Sequence, residues 1–88
     1  MVEKEVQITN KLGLHARPAA MVVQTASKFT SEIRLIKDDL EINGKSIMGV
    51  MMLAAEKGST IKIRVEGEDE AQALEKLIQL FESKFGEE

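Results

Sequence analysis

The chain has no cysteine, tryptophan or tyrosine, and it has one proline and one histidine. Without cysteine there is no disulfide framework, no thiol nucleophile and no thiolate metal site. A single histidine excludes a histidine-rich cluster, so no metal and no other cofactor is expected. Aromatic residues make up 3% of the sequence, too few for a base-stacking platform, which argues against direct contact with nucleic acid. No apolar run approaches the roughly 18 residues of a membrane span, and the charged start is no signal peptide. The expectation is a cytoplasmic protein that inserts in no membrane.

What is present fits one domain over residues 1–88. Hydrophobic residues are 43% and charged residues 31%, the balance of a soluble globular chain with a modest core. The net charge of −3 is unevenly spread. Residues 66–88 hold eight acids and two bases, so the remainder carries a net charge of +3. The acidic end reads as a solvated helix face, and the positive remainder suits an acidic partner or a phosphate.

Val2, Val6 and Ile8 alternate with Glu3, Glu5 and Gln7, the period of a half-buried strand. From Ala16 the apolar residues Ala19, Val22, Val23 and Ala26 follow helical spacing to about Lys28. Pro18 is tolerated there because it falls in the first turn, where its missing N–H has no intrahelical acceptor. Ile33 and Leu35 give a second strand and Leu40 with Ile42 a third, joined by a turn at Asp38-Asp39. Ser46 opens a short apolar helix within Ile47 to Ala55, and Ile61, Ile63 and Val65 alternate as a fourth strand. Asp69 with Gln72 has the spacing of a capping box. The stripe expected on the last helix is Ala71, Leu74, Ile78, Phe81 and Phe85, with Leu77 alongside. Every strand pairs an apolar parity with a charged one, so the sheet is covered on one side. The pattern predicts an α+β open-faced sandwich, a four-stranded antiparallel sheet with three helices on one face in the order βαββαβα.

His15 lies where the first strand gives way to the first helix. A lone histidine is ordinarily a surface or capping residue, but a helix N-terminus offers free N–H donors and the positive end of a dipole. The backbone of Ala16 and Arg17 and the Arg17 guanidinium surround the ring with groups that bind phosphate. In those positive surroundings an imidazole can attack phosphorus and leave the new phosphoryl group among donors already aimed at it. Ser46 reads first as an N-cap and second as a phosphorylation site, where added negative charge is tolerated. Ile47, Met48 and Met51 belong to a run too apolar to be wholly buried, and methionines suit a surface that meets several partners.

Together, Gly13-Leu14-His15-Ala16-Arg17-Pro18-Ala19-Ala20 and Lys45-Ser46-Ile47-Met48-Gly49-Val50-Met51 resemble the histidine-containing phosphocarrier family HPr of the bacterial phosphoenolpyruvate:sugar phosphotransferase system. The resemblance covers essentially the whole chain. It implies a phosphoryl carrier and not an enzyme, with His15 accepting phosphate on Nδ1 from enzyme I and passing it to sugar-specific IIA proteins, assisted by Arg17. It also implies that Ser46 is phosphorylated by HPr kinase/phosphorylase, and that the seryl-phosphorylated form binds a catabolite control repressor. Ile47, Met48 and Met51 are then the partner-docking patch of a monomer. Leu12, Asp38-Asp39, Met52 and Ala54 depart from the family pattern; the first often is a small polar residue, and the last two are frequently Ser and Gly.

Overall fold

A computed structural model describes residues 1–87; Glu88, counted above in the acidic segment, lies outside them. The alternating segments form β1 (Val2–Gln7), β2 (Glu32–Lys37), β3 (Leu40–Asn43) and β4 (Thr60–Glu66). The periodic ones form α1 (Ala16–Ala26), α2 (Ile47–Met52) and α3 (Glu70–Glu82), and a 3-10 turn follows at Lys84–Gly86. The sheet order is β1-β4-β2-β3 and every pairing is antiparallel, so β4 lies between the first strand and the β2–β3 hairpin. This is the open-faced α+β sandwich that the pattern predicts.

Alternation decides which face is covered. Ile33, Leu35, Ile61, Ile63 and Val65 are fully buried, and they share one core with Val22, Val50, Leu77 and Phe81 from the helices. The bare face carries charge: Arg64 Nε donates to Glu3 Oε2 at 3.0 Å and Nη1 to Glu41 Oε1 at 3.3 Å. Such exposed pairs add little stability, but they keep the open face wet. Asp38 and Asp39 join the paired residues Lys37 and Leu40, with Asp38 at φ 54°, a left-handed conformation that aspartate tolerates.

Three expectations at element ends are corrected. Helix α1 stops at Ala26, two residues before Lys28, in a turn where the amides of Lys28 and Phe29 reach the carbonyls of Thr25 and Ala26. On α3 the buried positions are Ala73, Leu77 and Phe81, while Leu74 and Ile78 flank the core and Ala71 faces solvent. An i, i+4 row set by packing against β1 and β4 replaces the stripe drawn through Ala71. Phe85 is buried as expected, but from beyond the helix. The Asp69–Gln72 capping box does not form, because Asp69 turns its carboxylate outward to the amides of Thr30 (2.9 Å) and Ser31 (3.0 Å). Two amides and two hydroxyls outside the helix outweigh the one amide that a cap would satisfy.

Candidate functional site

The site begins with a tight loop. Gly13 has φ 71°, and a Cβ there would stand 2.5 Å from the Ala55 carbonyl oxygen, so only glycine fits. Leu14 N–H donates to that same carbonyl at 2.8 Å, which pins the entry to α1 against the exit of α2. Asn10, fully buried, donates from Nδ2 to the Gly13 carbonyl at 2.7 Å and closes the loop.

His15 follows as the N-cap residue of α1, with extended backbone (φ −78°, ψ −172°) and no hydrogen bond from its ring to the first turn. The first intrahelical bond runs from Ala19 N–H to the His15 carbonyl at 2.9 Å. Pro18 has no N–H, so Ala16 and Arg17 are the two first-turn amides left to bind an anion. Both residues are exposed. His15, Ala16 and Arg17 are thus brought together as the sequence suggests.

The sequence reading missed the other half of the site. Glu87 accepts from His15 Nε2 through both carboxylate oxygens, at 3.0 Å and 3.2 Å, and from Asn10 Nδ2 at 3.0 Å. Its side chain is 18% exposed, so it is no part of the solvated helix face to which the acidic end was assigned. The surroundings of His15 are mixed in charge and not wholly positive. The His15 hydrogen bond holds the Glu87 carboxyl below its usual range against the opposing effect of burial, and Asn10 and the Arg17 charge add to the lowering. An ionised carboxylate only accepts, so the hydrogen of this contact sits on Nε2, and in the neutral form of such a ring the lone pair is on Nδ1. No local period places Glu87; the signal available was an acid close behind Phe85-Gly86.

What brings Glu87 there is a reversal after α3. Lys84 and Phe85 both adopt φ 57°, and Gly86 follows at φ 74°. Two consecutive non-glycine residues in the left-handed region cost about 1–2 kcal/mol each. The buried Phe85 ring offsets this, packed edge-to-face on Phe81 with centroids 5.0 Å apart.

Ser46 is the N-cap of α2, its Oγ accepting from Gly49 N–H at 3.1 Å. Lys45 beside it is spent on the fold, its ammonium reaching the Phe29 carbonyl at 2.7 Å. Among the described residues no hydrogen bond joins Ser46 to the His15 cluster. Ile47, Met48 and Met51 are exposed, as are Met52 and Leu12. Ala54 adopts φ 48°. Among the described residues there is no group of acids and histidine able to hold a metal, and no helix long and apolar enough to cross a membrane.

The chain is thus a small one-sided βαββαβα sandwich with an imidazole at the mouth of its first helix. The family described as "PTS HPr component phosphorylation site" matches residues 2–83, and the chain belongs to that HPr family. It is 53% identical over 88 residues to the phosphocarrier protein HPr of Xylella fastidiosa (strain Temecula1), covering all of this chain and 99% of that one. It is 54% identical to the HPr-like protein Crh of Halalkalibacterium halodurans over 96% of this chain and all of that one. The crystal structure of HPr-C-His from Thermoanaerobacter tengcongensis superposes with a TM-score of 0.96 at 55% identity, covering 100% of this chain and 99% of that one.

Proposed function

We propose that this chain is a phosphocarrier of the phosphoenolpyruvate-dependent sugar phosphotransferase system, taking a phosphoryl group on Nδ1 of His15 from enzyme I and delivering it to sugar-specific IIA proteins. The observation that carries the reading is the geometry at residues 15–17: a ring whose Nε2 is engaged, beside two helix-terminal amides and a guanidinium. Nδ1 attacks phosphorus, the bond to the donor breaks, and the amides of Ala16 and Arg17 with the Arg17 side chain take up charge on the phosphoryl oxygens. Ile47, Met48 and Met51 supply the docking surface. The protein acts as a cytoplasmic monomer.

Ser46 adds regulation. HPr kinase/phosphorylase modifies it, and the seryl-phosphorylated form meets a catabolite control repressor; similarity to Crh, the Bacillus subtilis catabolite repression HPr, supports the link to catabolite repression. The rival class is a plain interaction domain that uses the methionine surface without phosphoryl chemistry. Incubation with phosphoenolpyruvate and enzyme I separates the two: an acid-labile, alkali-stable phosphate on the wild type and none on His15→Ala supports the carrier. No label on either overturns it.

A further inference from the structure

We propose that Glu87 is a positioning residue that directs phosphoryl transfer to Nδ1 of His15 by keeping Nε2 occupied. The proposal deepens the carrier reading and rests on it. A histidine ring offers two nitrogens to an electrophile, and Nε2 stands farther from the backbone and is the less hindered. In this chain that nitrogen is covered. Both oxygens of Glu87 lie within 3.2 Å of it, and His15 has no hydrogen bond through its other nitrogen among the described residues.

The carboxylate is held on two sides. Asn10 Nδ2 reaches it at 3.0 Å from a fully buried position that the Gly13 carbonyl also fixes. From the other direction the reversal at Lys84 and Phe85 sets its path, with the Glu87 amide bonded to the Lys84 carbonyl at 2.9 Å. The arrangement has the logic of a carboxylate–imidazole pair, in which the acid fixes tautomer and ring orientation and balances the charge that the ring acquires. When Nδ1 forms its bond to phosphorus, Nε2 keeps its hydrogen and the ring becomes cationic. Glu87 is already in contact with that charge.

Phosphoramidate tests this without a partner protein. The Nδ1 lone pair bonds to phosphorus, the phosphorus–nitrogen bond of phosphoramidate breaks, and ammonia leaves. The full chain, Glu87→Ala and Glu87→Gln are treated alike, and the two phosphohistidine isomers are counted by phosphorus and proton–nitrogen NMR. The wild type is expected to give the Nδ1 isomer. In Glu87→Ala the Nε2 share rises by at least about tenfold, the scale of losing one charged hydrogen bond. Glu87→Gln, whose carbonyl still accepts from Nε2, restores most of the selectivity. An equal isomer ratio in wild type and Glu87→Ala overturns the proposal, as does a wild type not labelled at Nδ1 or a Glu87→Gln that behaves like Glu87→Ala. A purely structural role for Glu87 moves the melting temperature and leaves the ratio alone. The enzyme I assay on His15 reads separately, so the carrier assignment survives if the role of Glu87 fails.

Discussion

Asp69 and Ser31 lie 38 positions apart, yet the Asp69 carboxylate receives both the amide and the hydroxyl of Ser31. The contact ties the start of α3 to the start of β2, and Thr30 adds its own amide. These bonds, the Ser31 hydroxyl first, lower the Asp69 pKa from 3.8 to about 2. A carboxylate depressed in the folded state contributes stability that is complete above its unfolded value and lost as pH falls through the folded one. The contribution of Asp69 is therefore full above about pH 4 and disappears toward about pH 2. Asp69→Ala is expected to lower the melting temperature at pH 7 by at least about 4 °C and to flatten its fall between those values. Melting curves across that range check it; parallel curves for the two proteins contradict it.

His15→Ala is expected to abolish phosphoryl acceptance from enzyme I with the fold retained. The ring makes no cap bond to α1, so its loss costs the helix nothing directly. Glu87 loses one of its donors and keeps Asn10, and the melting temperature should move by no more than about 5 °C. Circular dichroism and the labelling assay on the same sample decide both halves.

Arg17 is exposed in the first turn of α1, where it contributes little to packing. Arg17→Ala is expected to slow phosphoryl transfer by about tenfold or more, as loss of an electrostatic contact to the transferring group does. Arg17→Lys recovers only part, since an ammonium lacks the bidentate fork. Single-turnover rates for the three proteins should fall in the order Arg, Lys, Ala; equal rates remove the role.

Ser46→Ala removes the acceptor for Gly49 N–H and is expected to cost about 1 kcal/mol in urea denaturation. A phosphate on Ser46 adds about −1.5 to −2 charge at the start of α2, where free N–H groups receive it. The fold should keep its stability while docking of enzyme I at Ile47, Met48 and Met51 weakens through repulsion and desolvation. Ser46→Asp acts in the same direction more weakly. The apparent affinity for enzyme I and the melting temperature, measured together, separate this from a change in the fold: affinity drops while melting holds.

Ala54→Gly is expected to stabilise the chain. Ala54 is exposed and held at φ 48°, where an alanine pays about 1–2 kcal/mol that glycine does not. Glycine returns part of that through a more flexible unfolded chain, leaving a net gain of about 0.5 kcal/mol. A rise in the urea midpoint at constant slope checks it.

The parts of this molecule legible in its sequence are those set by short-range rules. Ile61, Ile63 and Val65 alternate because the strand has one wet face, Pro18 marks a first turn, and Ser46 caps the helix that it precedes. Asp69 misled because its local spacing fits a cap while its partners, Thr30 and Ser31, come from elsewhere in the chain. Glu87 was hidden for a related reason. Its place depends on Phe85 filling the core in a left-handed conformation, and neither charge nor periodicity encodes that reversal. Asn10 looked like a turn residue and is one, but its burial between Gly13 and Glu87 follows from the tertiary arrangement.

The strand order has a consequence for how the molecule is made. Because β4 lies between β1 and β2, Val2 waits for Val65 and Ile33 for that same residue. A growing chain can wind α1 and zip the β2–β3 hairpin early, since both rely on near neighbours. Until Glu66 has emerged, however, β1 has no partner and the inner edge of β2 stays open. The nascent protein therefore carries two unpaired strand edges from the completion of β2 until β4 arrives, and in that interval it is most prone to aggregate.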